Sequence, residues 1–263
     1  YDADFGTARP EARIGLEGGD LFYLADTEVG FYAAANYSNK WSQRERGERN
    51  SFSPVGGVRD RFDFEQVSND IGANGLVSLG AVLGDSTFEW NTFLSRDTSS
   101  MVERSVGIEG DESQTVYSQT TTWIERQYAS TQFVGTHFLT SDGGVFAQWQ
   151  VTASQAKRLE PGRRDFDFTS LTTDAEALRG GFDFGAPNDE QSVEMVGFSL
   201  EPGTITRRYD DLIDNNFDAS LDIEWDIFDG GESFSSAKFG IQAIARERDS
   251  DVDVFGFNLN QAQ

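Results

Sequence analysis

The sharpest hydrophobic pattern lies near the end of the chain. Over residues 216–227, Phe217, Ala219, Leu221, Ile223, Trp225 and Ile227 occupy every second position. Asn216, Asp218, Ser220, Asp222, Glu224 and Asp226 occupy the others. Alternation with period two places the two sets on opposite faces of a β-strand. After Asp229-Gly230-Gly231-Glu232 it resumes. Ala237, Phe239, Ile241, Ala243 and Ala245 face one way; Lys238, Gly240, Gln242, Arg246 and Arg248 face the other, with Ile244 the exception. The glycine break predicts a hairpin in which Asp222, Glu224 and Asp226 face Lys238, Gln242 or Arg246. Opposite-charge pairs across a ladder contribute roughly 0.2–1 kcal/mol each, and a wet interior tolerates them where a dry core does not.

Earlier segments repeat the design. Val29, Phe31, Ala33, Ala35 and Tyr37 oppose Gly30, Tyr32, Asn36 and Ser38. Ile71, Ala73, Val77, Leu79 and Ala81 oppose Asn74, Ser78 and Gly80. Phe88, Trp90 and Leu94 oppose Glu89, Asn91 and Ser95, with Phe93 out of step. Val145, Ala147, Trp149, Val151 and Ala153 oppose Gln148, Gln150, Thr152 and Ser154. A weak first strand falls near Arg13–Phe22, and the strand within 115–139 has no clear faces. That makes roughly eight strands, of which 61–82 and 205–228 exceed the ~9–11 residues that cross a bilayer. No helix is predicted.

The connections add direction. Tight turns fall at 25–27, 83–86, 140–144 and 229–232, and longer polar loops are expected near 45–60, 99–115 and 157–204, with local structure around 190–200. Short turns at one end and long loops at the other are the habit of outer-membrane barrels. Aromatics beside the turns (Phe22 and Tyr23, Phe88 and Trp90, Phe138 and Phe146, Phe228 and Phe234) predict a girdle on the turn side. The fold expected is all-β: an antiparallel transmembrane β-barrel segment, incomplete, occupying residues 1–263 as one region.

Composition narrows the alternatives. The 263 residues are 37% hydrophobic and 13% aromatic, with 22 Phe, 27 Gly and 5 Pro. No apolar run approaches the ~20 residues of a membrane helix. The net charge of −24 argues against nucleic acid as a partner. With no Cys and a single His137, neither a disulfide scaffold nor a thiolate or His-based metal site is expected, and no cofactor is implied. Asp249-Ser250-Asp251-Val252-Asp253 imitates the start of a calcium loop, but Val254 and Asn260 stand where Gly and Glu are needed, so a solvated loop is expected. Ser154 and Lys157 have Ser-x-x-Lys spacing without companion motifs. Arg163, Arg164, Arg207 and Arg208 are assigned to neutralising Asp165, Asp167, Asp210 and Asp211, the alternative being an anionic ligand or lipid phosphate. No enzyme constellation emerges.

Certain stretches are similar to barrel strands of TonB-dependent outer-membrane receptors. They are Trp123-Ile124-Glu125-Arg126-Gln127 with Ser130-Thr131-Gln132-Phe133, and Ala153 to Phe166 with its run Glu160-Pro161-Gly162-Arg163-Arg164. Tyr209-Asp210-Asp211-Leu212 with Asn216 and Leu221, and Arg246-Glu247-Arg248-Asp249, are similar too. Gly162 replaces the family's commoner Asp. The resemblance implies the first part of a barrel of about twenty-two strands, following a plug domain that lies outside this sequence. It implies location in the bacterial outer membrane, with membrane lipid and, through the plug and its TonB box, the energy-transducing TonB complex as partners. The ligand class is a scarce small-molecule nutrient such as an iron–siderophore complex, cobalamin or an oligosaccharide. No functional residue of the family maps one by one. On this reading the lumen-facing candidates are Asp218, Asp222, Glu224, Asp226, Lys238, Gln242 and Arg246. The rival is a secreted or surface-attached soluble β protein of adhesin-like sandwich type; a complete small barrel is a third option.

Overall fold

A computed structural model describes residues 10–25, 27–54, 56–109, 114–140, 144–170, 198–199, 205–229 and 234–257. The strands are β1 (Ala12–Leu24), β2 (Thr27–Phe52), β3 (Val58–Leu83), β4 (Ser86–Glu109), β5 (Gln114–Phe138), β6 (Val145–Ser170), β7 (Phe198–Ser199), β8 (Ile205–Asp229) and β9 (Phe234–Phe257). Eight of them form one antiparallel sheet in the order β1-β2-β3-β4-β5-β6-β8-β9; the two-residue β7 pairs with the end of β6. The described residues contain no helix. β1 and β9 do not pair with each other, so the sheet is open, as an incomplete barrel would be.

Each strand pairs with its neighbour in sequence, apart from the β6–β8 step, because hairpins make that register cheap. Leu24 pairs with Thr27 and Leu83 with Ser86, which leaves two-residue turns. Ala25 and Gly84 take positive φ there, 57° and 58°, the left-handed geometry of turns that match strand twist. The predicted turns at 140–144 and 229–232 lie largely outside the described residues. Two predicted loops are corrected. Segments 45–60 and 99–115 are mainly strand, with β2 and β3 separated only by 53–57 and β4 and β5 only by 110–113. Likewise β6 runs on to Ser170 through the start of the expected 157–204 loop. The polar residues that suggested loops are the wet far ends of strands of 24–26 residues. The longest connection, between β6 and β8, remains at that far end.

Among the described residues the sheet is a single layer with nothing packed on its apolar face. Among them Phe64, Val106 and Ala147 are the buried apolar side chains, whereas Leu16, Phe31, Leu79, Phe133, Trp225, Phe239 and Ile241 are exposed. Directly paired residues share a face, so the register carries the apolar face from strand to strand. Ile223 lies between Ala147 and Phe239, and Leu221 between Trp149 and Ile241. On β5, which the sequence left unassigned, Phe133 pairs with Trp90 and Val151, so its odd-numbered residues join this face. Ile244 faces Asp218 on the polar side, as its position out of step requires. Phe22, Phe88, Trp149, Trp225 and Phe239 lie on the apolar face toward the turns. Phe138 and Phe146 do not: they pair with each other, ring centroids 5.5 Å apart, on the face of Glu224. Tyr23 also turns away and donates to Glu28 at 3.1 Å. The side chains of Phe228 and Phe234 lie outside the described residues.

The apolar stretch does not follow the rungs of the ladder. One rung joins Ile14, Tyr37, Ala73, Arg96, Gln127, Lys157, Ile213 and Asp249. It is apolar at its β1 end and charged at its β9 end. The stretch therefore slides along successive strands toward the turn side, which is the stagger of strands tilted in a layer. On β8 it runs ten residue steps from Phe217 to Ile227. At ~3.4 Å per step and ~45° of tilt that is ~25 Å of height, the height of the apolar band of a membrane barrel. Four of the five ladder irregularities among the described residues lie beyond this band, at Arg44/Gly47, Ser51/Phe52, Thr121/Glu125 and Pro161/Arg163; the fifth, Asp226/Phe228, falls at its turn-side edge, at Ile227. Inside hydrocarbon each unpaired backbone group costs several kcal/mol, so bulges belong beyond it.

Candidate functional site

The opposite face is mainly polar, with Phe138, Phe146 and Ile244 among its exceptions, and holds all the candidate wall residues. Asp218, Asp222, Glu224 and Asp226 alternate along β8, and Lys238, Gln242 and Arg246 share their face on β9. Their pairing differs from the expected one at several positions. Glu224 faces Lys238, as expected. Asp222 instead faces Gly240, and Asp226 faces Ser236. The Asp222 carboxylate lies over Gly240, where a Cβ would come within 2.5 Å of its oxygen. The Gln242 amide donates to Asp218 at 2.7 Å. Arg246 reaches past Asn216 and donates through Nε to Asp214 at 2.9 Å. The register, with its bulge at Asp226/Phe228, keeps Lys238 at its expected place and sets Gln242 opposite Ser220 and Arg246 opposite Asn216, toward the far end of β8.

Asp214 was missed from the sequence. Its direct partner is Arg248, whose Nε also donates to it at 2.9 Å. Bonding first to Arg246 and then to Arg248 holds the Asp214 carboxyl well below the usual carboxylate range, against the opposing effect of burial. A second knot lies on β6 and β8. Arg158 donates to Asp210 at 2.7 Å and to buried Glu160 at 2.8 Å; Arg208 adds a bond to Asp210 at 3.3 Å. Continuing the period-two row back from Asp218 through Asn216 to Asp214, and forward from Arg246 to Arg248, would have found the first knot.

Arg163 pairs directly with Arg208 and Arg164 with Arg207. Like charges placed so are destabilising. Arg163 is neutralised by Asp165 at 2.9 Å, and Arg207 stacks over the Tyr209 ring at 4.9 Å. The neutralising role thus holds for Arg163 and Arg208. The polar face is segregated along its length. Deep positions carry acids and neutral polar groups: Glu89, Asn91, Gln132, Gln148, Gln150 and Thr152 accompany the acids of β8. The arginine–carboxylate knots sit beyond the apolar band.

Other features have structural explanations. His137 lies on the apolar face between Ser86 Oγ and Trp149 Nε1, each at 2.9 Å. The indole N–H donates to Nε2, so Nδ1 carries the proton and donates to Ser86. Asp249, Asp251 and Asp253 alternate along β9, paired with Ile213, Asp211 and Tyr209; the expected loop there is strand. Ser154 and Lys157 fall on opposite faces of β6. Beyond the band, the bulge on β2 sets Glu45 and Arg46 opposite Glu65. Glu65 is buried; burial pushes its carboxyl up to about 7, while Arg104 pulls it back.

No protein-family profile and no curated protein matches this chain. Among solved structures it is similar to the copper transporter OprC at 9% identity, over 97% of this chain and 45% of that one, with a TM-score of 0.17. It is similar to a lipopolysaccharide binding protein at 6% identity (94% and 78% covered, TM-score 0.12) and to Pseudomonas aeruginosa OccK7 (OpdD) at 7% (94% and 98%, TM-score 0.09). The chain thus spans less than half the length of the copper transporter. At these scores none of the three likenesses bears on function, and the reading below rests on the chain's own faces and charges.

Proposed function

We propose that this chain is a stretch of wall in an outer-membrane β-barrel that admits a small solute, with its apolar face on lipid and its polar face on the lumen. One observation carries the reading. Eight long strands form a single layer whose apolar face is exposed over ~25 Å of height while the other face bears paired charges. An adhesin-like sandwich buries its apolar faces against a second sheet, and the described residues supply none. Lipid is the solvent that makes this face favourable.

In the finer form of the proposal the parent protein is a TonB-dependent receptor for a scarce nutrient. Asp218, Asp222, Glu224, Asp226, Lys238, Gln242 and Arg246 would line its lumen, and it would act by binding and gated passage without covalent chemistry. The resemblance in the Glu160–Arg164 run and the acid-over-arginine arrangement of the wall support it. The test is fractionation of the native gene product. Recovery in the outer membrane after carbonate washing is expected, and recovery in a soluble fraction would overturn the barrel. Solute uptake that survives collapse of the inner-membrane proton gradient would replace the energised receptor with a passive channel.

A further inference from the structure

We infer that the apolar face carries a built site for the phosphate of an anionic membrane lipid, formed by Arg96, Gln127 and Lys157 at the upper rim of the band. This inference rests on the barrel-wall reading above. The three residues occupy one rung on neighbouring strands, Arg96 to Gln127 to Lys157. Their side chains lie on the same face as Leu94, Ala129 and Gln155, which form the next rung toward the turns. Adjacent strands are ~4.8 Å apart, so two cations flank one amide across ~10 Å, which suits a single phosphate.

The surface beneath them is shaped for an acyl chain. An open groove lies on this face, lined by Ala35, Ala73, Gly75 and Ala129 together with Arg96 and Lys157. Large side chains flank the small ones: Phe31, Leu79 and Trp90 lie on the rungs below. A lipid tail along the groove brings its headgroup to the cations.

Charge complementarity favours an anion. In a chain of net charge −24 these cations stand just past the apolar stretch of β4 and β6. Arg96 is partly neutralised by Glu125 at 2.6 Å, a carboxylate that also accepts from Trp123 Nε1 at 3.0 Å. Lys157 is exposed and has no ion pair among the described residues. Its long stem can lie on the apolar floor while its ammonium reaches the headgroup plane. Counted with Glu125, the cluster carries a net charge of +1, and arginine, amide and ammonium together offer the donors a phosphate accepts.

The test uses the full native gene product purified in dodecyl maltoside, with bound phosphatidylglycerol counted by native mass spectrometry and insertion checked by flotation with phosphatidylcholine vesicles. Wild type is expected to retain phosphatidylglycerol over phosphatidylcholine. The double variant Arg96→Gln/Lys157→Gln should bind it about tenfold more weakly or worse, and Lys238→Gln, on the other face, should bind as wild type does. If the double variant does not fold, Lys157→Gln alone should still show a measurable loss. Flotation with equal lipid binding by wild type and variant would overturn the site and leave the wall reading intact. Displacement of the lipid by equimolar inorganic phosphate would overturn the lipid assignment. Failure of wild type to float would overturn both.

Discussion

Replacing Ile223 with arginine tests the face assignment most directly. Ile223 lies near the middle of the ten-step stretch from Phe217 to Ile227, between Ala147 and Phe239. If that face meets lipid, the guanidinium must sit near mid-depth, where arginine costs about 2–4 kcal/mol in a membrane barrel. Asp222→Asn is the matched control one residue away. It points the other way, over Gly240, keeps its size and hydrogen-bonding capacity, and should change stability by about 0.5 kcal/mol or less. The assay is urea unfolding of the full native gene product from lipid vesicles, followed by tryptophan emission. The expected result is a midpoint lowered for Ile223→Arg alone. In water the same exchange on an exposed strand would be nearly neutral. Equal tolerance of both substitutions, or a larger loss for Asp222→Asn, would therefore refute the assignment.

Three further outcomes follow from the geometry. A Cβ at Gly135 would meet the Trp149 ring at 2.3 Å, so Gly135→Ala should displace the indole from His137 and cost about 1–3 kcal/mol; an unchanged tryptophan emission spectrum would contradict this. Glu65, with a carboxyl raised to about 7 in the folded chain, favours folding below the ordinary carboxylate pKa of about 4.3 and loses that contribution as pH rises through 7. Glu65→Gln should flatten the fall in melting temperature between pH 5 and 8, and parallel curves for variant and wild type would sink the argument. Asp214 works in the opposite sense: its depressed pKa preserves its contribution above the ordinary carboxylate range until pH falls well below it. Asp214→Asn should leave Arg246 and Arg248 repelling one another and lower the urea midpoint in a way that added salt partly restores; a salt-independent midpoint equal to wild type would show that the knot is idle.

The faces of most strands were legible because the period of two persists through the apolar band, with Ile244 opposite Asp218 as a misfit; β5 was the exception. Strand ends were not legible. Beyond the apolar band neither face is uniformly apolar, so Arg44 to Phe52 and Ser99 to Glu109 lose the alternation while staying paired in the ladder, and polar strand reads as loop. Pairing along β8 and β9 depended on the turn, and the bulge at Asp226/Phe228 moved Asp222 and Asp226 away from their expected partners. Arg96 and Lys157 could not be joined from sequence, since sixty residues separate two positions on one rung.

Because the apolar stretch slides across the strands, a rung of the ladder is not a contour of depth. Tyr37 and Lys157 are linked through Ala73, Arg96 and Gln127, yet on the proposed wall one would sit among acyl chains and the other among headgroups. Lines of equal immersion would then run diagonally, crossing from one strand to the next at a shifted residue. On that reading an exchange tolerated at one point of a rung is no guide to its neighbour: a lysine suited to position 157 would be costly at 37.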